Sequence, residues 1–221
     1  MKKAVKQKIV KTNNRKFHLE FLNPSQTLAW QTFQTNDILF LTGTAGTGKT
    51  FLSISFAIQE ILKKNKSRII LTRPIVEAGE SLGYLPGTFF EKVNPYMMPL
   101  YDSIYKLVGD HNEQRDIINA SIEVAPLAYL RGRTFDDAIC IFDEAQNATL
   151  MQFKLFLTRM GQNSKIIVTG DPSQSDLKGP VALLEVMKKL ESIKGIGIVN
   201  FKNDSVVRHP LVAKIVDVLG E

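Results

Sequence analysis

Short apolar segments alternate with longer segments of helical periodicity along most of the chain. The apolar segments have the length of β-strands and occupy residues 37–41, 68–72, 121–124, 138–142, 165–169 and 195–201. The helical patterns occupy residues 22–33, with Ser25 as a candidate N-cap, and residues 51–64, 150–160, 180–190 and 206–219. This alternation predicts an α/β fold with a mainly parallel sheet and helices on both of its faces.

Polar motifs directly follow three of the predicted strands, at residues 43–50, 143–147 and 170–176. In open parallel sheets, ligands bind beyond the carboxyl ends of the strands. The pattern therefore predicts one binding site at that edge of the sheet. Residues 77–108 are rich in glycine, proline and aromatic residues, and for them we expect a mixture of loop and helix.

The composition is that of a single globular domain. The chain has 221 residues, 44% hydrophobic and 23% charged, with one cysteine, and this excludes a disordered, collagen-like or disulfide-stapled protein. No apolar run approaches the ~20 residues needed to cross a bilayer. The N-terminal residues also lack the apolar core and cleavage site of a secretory signal. We therefore expect a cytoplasmic protein with no membrane partner.

The net charge of +6 is concentrated at the N-terminus. Residues 1–16 contain seven of the 28 basic residues and none of the 22 acidic ones, so the remainder is close to neutral. We divide the chain into a basic N-terminal arm, residues 1–21, and one domain, residues 22–221. A basic arm is either a solvated, mobile tail or a sequence-independent contact to phosphate backbones.

The segment Gly-Thr-Ala-Gly-Thr-Gly-Lys-Thr at residues 43–50 matches the phosphate-loop pattern G-x-x-x-x-G-K-[ST]. Its glycines let backbone N–H groups approach phosphate oxygens, and the following helix contributes its positive end. Lys49 would reach the β- and γ-phosphates, and Thr50 would place its hydroxyl on Mg²⁺. The alternative is a glycine-rich turn without a ligand. The predicted nucleotide-binding residues of this segment are Gly43, Thr44, Ala45, Gly46, Thr47, Gly48, Lys49, Thr50 and Phe51.

Two acidic residues follow the apolar strand at residues 138–142. Asp143 is placed to hold Mg²⁺, and Glu144 is a candidate general base that polarises the attacking water. An acidic helix N-terminus, favoured by the helix dipole, is the alternative interpretation. Beside a phosphate loop, the pair favours hydrolysis of a nucleoside triphosphate.

Two glutamines are candidate contacts to the nucleotide. Gln174 follows the strand at residues 165–169, where it would sense the γ-phosphate, although Asp171 and Ser173 equally predict an Asx-type turn and a helix cap there. Gln26 precedes the first predicted strand, where its amide would read the adenine edge. The alternative for Gln26 is an exposed helix residue.

Taken together, the motifs resemble those of the PhoH-like P-loop ATPases. The resemblance covers residues 22–219 and rests on GTAGTGKT, LTRPIVEAGESLGYLPG, APLAYLRGRTFDDA, IFDEAQN, FLTRMGQNSKIIVTGDPSQSDL and VVRHPLV, in that order. It implies a RecA-like P-loop NTPase core similar to the N-terminal domain of superfamily 1 helicases, with ATP as the ligand. By position it assigns the phosphate loop to residues 43–50, the metal and water pair to Asp143 and Glu144, and the sensor to Gln174. Ribonuclease activity is not carried over, because the chain has no counterpart of the PIN nuclease domain found in some members.

The resemblance also implies a ring. Superfamily 1 motors close two RecA-like domains around ATP, and this chain has the length of one, so we expect a neighbouring subunit, in a hexamer, to supply the second wall and an arginine finger. Arg208 is our assigned catalytic candidate, and Arg131 and Arg133 are further ones. Each arginine is alternatively a local partner of a carboxylate or a helix terminus.

Other residues point less directly to nucleic acid. Arg73 ends the second strand, where helicases contact a nucleic-acid backbone, and Glu77 and Glu80 are its alternative partners. The aromatic residues Tyr84, Phe89 and Phe90 would stack on bases or belong to the core. The three histidines, His18, His111 and His209, have no metal-ligand spacing, so we predict no zinc site.

The leading hypothesis is therefore an Mg²⁺-dependent ATPase, acting with Lys49, Glu144 and Gln174 on RNA or single-stranded DNA. The second hypothesis is an ATP-gated module that recruits a partner protein without motor activity. A P-loop kinase is a third and weaker interpretation, because no acceptor-binding or lid motif is evident.

Overall fold

A computed structural model of the chain describes residues 17, 19–44, 46–75, 89–108, 112–177 and 179–201. The strands are β1 (Ile38–Gly43), β2 (Arg68–Thr72), β3 (Ile122–Val124), β4 (Ala138–Phe142), β5 (Lys165–Gly170) and β6 (Ile196–Phe201). The helices are α1 (Pro24–Thr35), α2 (Lys49–Leu62), α3 (Phe89–Val108), α4 (Asn112–Ser121), α5 (Leu150–Leu157) and α6 (Ala182–Leu190). All six predicted strands are present, each within one or two residues of its expected bounds.

The six strands form one sheet in the order β3-β2-β4-β5-β1-β6, and every neighbouring pair is parallel. The three strands that precede the polar motifs, β4, β5 and β1, are therefore adjacent. The carboxyl ends of neighbouring strands also lie within two residues of one another, since Phe142 is opposite Val168 and Gly170 is opposite Thr42. The topology brings the three motifs to one edge of the sheet, as the sequence predicts.

Helices cover both faces of the sheet, so the strands are buried on both sides. Ile139 and Ile141 of β4 contribute to the cluster that contains residues of α1, α2, α3 and α4, whereas Cys140 and Phe142 contribute to the cluster with residues of α5 and α6. Successive side chains of a strand point to opposite faces, which explains this division. Burial raises the pKa of the Cys140 thiol to about 12, so the side chain is a neutral packing group.

Helix α1 begins one residue after Asn23 rather than at Leu22. Asn23 is the N-cap, because its side chain accepts a hydrogen bond from the Gln26 backbone N–H at 3.0 Å and Pro24 occupies the first helical position. The prediction of Ser25 as the N-cap is therefore wrong. Ahead of the helix, Phe17, Leu19 and Phe21 of the predicted arm pack against the core.

Between residues 89 and 121 the chain contains more helix than the sequence predicts. Helix α3 is 20 residues long and contains Pro95 and Pro99, two residues that usually interrupt a helix. The two prolines explain why the sequence predicted a mixture of loop and helix here rather than one long helix. Helix α4 was not predicted at all. The predicted helix at 206–219 lies outside the described residues. Within the described ranges, every helix is too short or too polar to span a bilayer.

Candidate functional site

The loop between β1 and α2 contains two glycines in a conformation that lets backbone N–H groups turn toward a ligand. Gly46 and Gly48 adopt φ values of 80° and 82°, a left-handed conformation that side chains other than glycine rarely adopt. Gly48 is the N-cap of α2 and supplies no side-chain hydrogen bond to the first turn. The N-terminus of this 14-residue helix thus offers N–H donors and a positive dipole to an anion.

Lys49 lies over this loop with only 9% of its surface exposed. Its Nζ donates hydrogen bonds to the backbone oxygens of Gly43 at 2.6 Å and Thr44 at 2.8 Å. Thr47 is fully buried and donates from its hydroxyl to the same Thr44 oxygen at 2.9 Å. The loop is therefore closed around an ammonium group, and Ala45 lies outside the described residues.

Asp143 joins the ends of α2, β4 and β5. Its Oδ1 accepts hydrogen bonds from the hydroxyls of Thr50 and Thr169, both at 2.6 Å, and the residue is 1% exposed. Its Oδ2 forms an ion pair of 2.8 Å with Arg73 Nη2. The carboxylate is thus desolvated and held by three donors, as a buried charge requires.

Glu144, the next residue, is less buried than Asp143. Its backbone is left-handed, with φ 51° and ψ 39°, a conformation that costs a non-glycine residue about 1–2 kcal/mol. Its side chain is 45% exposed, with Oε1 3.5 Å from Arg73 Nη2 and Oε2 accepting from Gln146 Nε2 at 2.7 Å. Backbone strain of this kind is common at functional sites.

A cavity of about 520 Å³ lies at this edge of the sheet. Its lining includes eight of the predicted site residues: Gly46, Gly48, Lys49, Thr50, Phe51, Asp143, Glu144 and Gln174. The lining residues that were not predicted are Ser103, Lys106, Thr169, Gly170 and Asp171. Ser103 and Lys106 come from α3, and no local signal in the sequence connects that helix with the phosphate loop.

The donor set at the cavity is suited to Mg²⁺ bound together with a phosphate. The Thr50 hydroxyl and the Asp143 carboxylate are oxygen ligands, which Mg²⁺ prefers. In the part of the chain that is described, no group of three or more His, Cys, Asp or Glu side chains is arranged to hold a metal. A metal here would thus need further ligands from water and phosphate, as is usual for Mg²⁺ beside nucleotides.

Gln26 lies next to the phosphate loop. It is 5% exposed, and its Oε1 accepts a hydrogen bond from the Leu22 backbone N–H at 2.8 Å. Its Nε2 is 3.8 Å from the position that a Cβ on Gly48 would occupy. The alternative interpretation of Gln26 as an exposed helix residue is therefore wrong, and its contact with adenine stays a prediction.

The turn after β5 is the Asx-type turn that the sequence offered as one interpretation, and the contact of Gln174 with the γ-phosphate stays a prediction. The Asp171 side chain accepts hydrogen bonds from the Ser173 backbone N–H at 3.1 Å and its hydroxyl at 2.6 Å, which is the Asx-type turn. The same turn places Gln174 in the lining of the cavity. Asp171 is 4% exposed, and its Oδ2 has no hydrogen-bond partner among the described residues.

The arginines singled out in the sequence have different surroundings in the structure. Arg73 lies at the candidate site, on Asp143, and its Nη1 donates to the Tyr96 backbone oxygen at 3.1 Å. Arg133 forms a bidentate ion pair with Glu123, with distances of 2.5 and 2.8 Å, and this hydrogen bond lowers the pKa of the Glu123 carboxyl. Arg133 is therefore a local carboxylate partner, whereas Arg131 is exposed.

Several predicted residues cannot be placed. Arg208, Glu77, Glu80, Tyr84 and the three histidines lie outside the described residues. Phe89 and Phe90 are in the first turn of α3, but their side chains are not described. Their predicted roles stay predictions.

Comparison with known proteins identifies the family of the chain. A family model described as "PhoH-like protein" matches residues 18–220. A PhoH-like protein of Bacillus subtilis is 53% identical over 82% of this chain and 58% of its own length. Protein PhoH of Escherichia coli K12 is 41% identical over 86% of this chain and 54% of its own length. The chain thus spans about half the length of the curated relatives it matches.

Solved structures with low sequence identity share the fold. The large terminase of a thermophilic bacteriophage matches 91% of this chain and 51% of its own, at 10% identity and a TM-score of 0.59. A second crystal form of that terminase, in complex with ADP, gives a TM-score of 0.55 at 14% identity, over 90% of this chain and 50% of its own. The SWI2/SNF2 ATPase core of Sulfolobus solfataricus, in complex with double-stranded DNA, gives 0.51 at 14% identity, over 91% of this chain and 48% of its own. The chain therefore has a RecA-like P-loop fold built on a parallel sheet.

Proposed function

Because the chain belongs to the PhoH-like protein family, we propose that its cavity binds ATP with Mg²⁺, hydrolyses the terminal phosphate and couples hydrolysis to RNA or single-stranded DNA. The observation that carries the proposal is the hydrogen bond of 2.6 Å between Thr50 and Asp143. It joins the phosphate loop to the acidic strand end inside one cavity. The same cavity is lined by Glu144, a carboxylate in reach of solvent.

In this proposal, the phosphate groups occupy the loop that Lys49 now closes. The ammonium would exchange the backbone oxygens of Gly43 and Thr44 for phosphate oxygens, which are charged and therefore stronger acceptors. The N–H groups at the start of α2 would bind the remaining oxygens. Gln26, beside Gly48, is the proposed contact to adenine.

Thr50 and Asp143 are the residues that would hold the metal. When bound, Mg²⁺ neutralises the charge that develops on the β- and γ-phosphate oxygens. Arg73 now forms an ion pair with Asp143 Oδ2, so the guanidinium would have to give up part of that contact. Thr169 donates to the same Oδ1 as Thr50, and this keeps the carboxylate aimed at the phosphate loop.

Glu144 and Gln174 would act on the attacking water. Glu144 is placed at the cavity with its carboxylate partly in solvent, so it can accept a hydrogen bond from a water and orient it. Gln174 lines the same cavity from the turn after β5 and carries an amide that would contact the γ-phosphate. Both residues thus face the space in which hydrolysis would take place.

The second wall of the site is proposed to come from a neighbouring subunit in a ring, which we expect to be a hexamer. A positive side chain supplied in trans would stabilise the charge on the γ-phosphate. Arg131 is exposed and is a candidate for that role together with Arg208, whereas Arg133 is engaged by Glu123.

Thr50→Val should raise the Mg²⁺ concentration needed for half-maximal phosphate release by about tenfold. The substitution keeps the shape of the side chain but removes the hydroxyl that contacts Asp143, and a hydrogen bond to a charged group contributes about 1.5–3 kcal/mol. The measurement is a titration of phosphate release with Mg²⁺ at saturating ATP. Thr50→Ser is the matched control, because it retains the hydroxyl. Equal Mg²⁺ requirements in the two variants would contradict the metal assignment.

The coupling to nucleic acid is tested by phosphate release with and without RNA and single-stranded DNA. We expect stimulation of several-fold by at least one of them, which weakens as salt is raised, since contacts to phosphate backbones release counterions. The molecular mass is measured in the same buffer, so that the rate belongs to a known assembly. A rate that is indifferent to both polymers favours the ATP-gated recruitment of a partner protein.

A further inference from the structure

Gln146 connects the candidate base with the turn after β5. Its Nε2 donates to Glu144 Oε2 at 2.7 Å, and its Oε1 accepts from the Asp171 backbone N–H at 3.0 Å. The orientation of the amide is determined by its partners, because a carboxylate only accepts and a backbone N–H only donates. With 3% of its surface exposed, Gln146 makes both bonds away from bulk water.

We propose that Gln146 is a positioning residue, which holds the Glu144 carboxylate for hydrolysis and ties its position to the turn that carries Gln174. The inference rests on the proposed function. Glutamine is the side chain that suits this place, since it offers a donor to the carboxylate and an acceptor to the backbone at the same time. Asp171 lies three residues before Gln174, within one short turn, so the amide joins the base to the γ-phosphate sensor through a single side chain.

The backbone around Gln146 is shaped for this contact. Glu144 adopts the left-handed conformation immediately before the 3₁₀ turn that contains Gln146. A Cβ on Gly170 would lie 2.9 Å from Gln146 Oε1 and 3.1 Å from its backbone N, closer than side chains pack. Glycine at position 170 thus leaves the space that the amide needs to reach the Asp171 backbone N–H directly after β5.

Glu144 needs such support because it is not held by burial. Its side chain is 45% exposed, and its second contact, to Arg73, has the longer distance of 3.5 Å. Without Gln146, the carboxylate would be free to rotate into solvent. A displacement of about 1 Å at a reacting group lowers rates by up to 10²-fold.

Two substitutions test the contact. Gln146→Ala removes both hydrogen bonds, and Gln146→Glu keeps the shape and the acceptor for Asp171 but replaces the donor with an oxygen that repels Glu144. We expect both variants to lower kcat at least tenfold, while the KM and the Kd for ATP stay within twofold of wild type. Thermal unfolding of both variants is measured to show that they are folded. If Gln146→Ala folds poorly, Gln146→Glu still tests the contact.

Asn147→Ala is the matched control. Asn147 is on the same turn, and its amide makes an equivalent pair of hydrogen bonds, at 2.7 and 2.8 Å, which go to Asp176 rather than to the base. We expect its kcat to remain within twofold of wild type. An equal loss of activity in the Asn147 and Gln146 variants would show that the turn only has a structural role, and it would overturn the inference.

A double-mutant cycle identifies the route by which Gln146 acts. If it acts through Glu144, the change Gln146→Ala should lower the residual single-turnover rate of the Glu144→Gln variant by less than twofold. The full tenfold loss in that background would overturn the inference. Wild-type protein without phosphate release would refute the proposed function itself, whereas active wild type matched by both Gln146 variants would refute the positioning role alone.

Discussion

Glu144→Gln should lower the rate of phosphate release by about 10²- to 10⁴-fold, the range that general-base catalysis contributes. The amide is nearly identical in shape, but it cannot accept a proton from water. The side chain is 45% exposed, so the change should have little effect on the free energy of unfolding. The Kd for ATP should stay within twofold of wild type, because in our proposal the phosphate loop and Lys49 provide the binding.

The measurement is a phosphate-release assay combined with ATP binding at equilibrium. Glu185→Gln is a suitable control, since Glu185 is an exposed residue of α6 that pairs with Lys189 and does not line the cavity. Phosphate release by Glu144→Gln at the wild-type rate would mean that another group orients the water, and the role of Gln146 would fall with it.

Lys49→Ala should impair ATP binding and ATP hydrolysis together. We expect the Kd for ATP to rise by about 100-fold and hydrolysis to fall to background. The size of the effect follows from charge-assisted hydrogen bonds, each worth about 1.5–3 kcal/mol. The ammonium contacts the backbone oxygens of Gly43 and Thr44, and truncation of the side chain to a methyl group removes it from this loop. Binding is measured with a fluorescent ATP analogue and hydrolysis by phosphate release.

Two further variants sharpen this result. Lys49→Arg keeps the charge but replaces a compact ammonium with a planar fork, so we expect it to recover little of the affinity. Lys154→Ala removes an exposed lysine of α5 and should bind ATP like wild type. Wild-type affinity in Lys49→Ala would place the nucleotide elsewhere and refute the proposed site.

Together the two variants separate binding from chemistry. Lys49→Ala should fail before nucleotide is bound, whereas Glu144→Gln should accumulate bound ATP. That trapped state is also the one in which RNA or single-stranded DNA binding is most directly compared with the nucleotide-free protein. If the trapped state binds a partner protein but no nucleic acid, the result favours the hypothesis of an ATP-gated module that recruits a partner protein.

The three polar motifs at one sheet edge were predictable because each is local in sequence. A strand, a glycine loop and a helix start are contiguous at residues 38–50, and the acidic pair directly follows β4. Parallel pairing then requires the carboxyl ends of β4, β5 and β1 to share an edge. The fold class needed only the alternation of apolar and amphipathic segments.

The surroundings of these motifs were not predictable. Helix α3 contains two prolines, so its pattern gave no clear helix, and its contribution of Ser103 and Lys106 to the cavity depends on how it packs. For Arg73 the sequence offered a nucleic-acid contact or an ion pair with Glu77 and Glu80, and it gave no sign of the ion pair with Asp143, 70 residues further along the chain. Gln26 was open to interpretation until the docking of α1 buried it.

The sequence by itself determined the sheet, the phosphate loop and the acidic strand end, because periodicity and short spacing are properties of neighbouring residues. Only the tertiary structure decided which side chains hold those residues in place. Thr50 meets Asp143 across 93 positions, and Gln146 meets the backbone of Asp171 across 25. Contacts over such separations follow from the order of the strands and the packing of helices on them, and no local pattern encodes them.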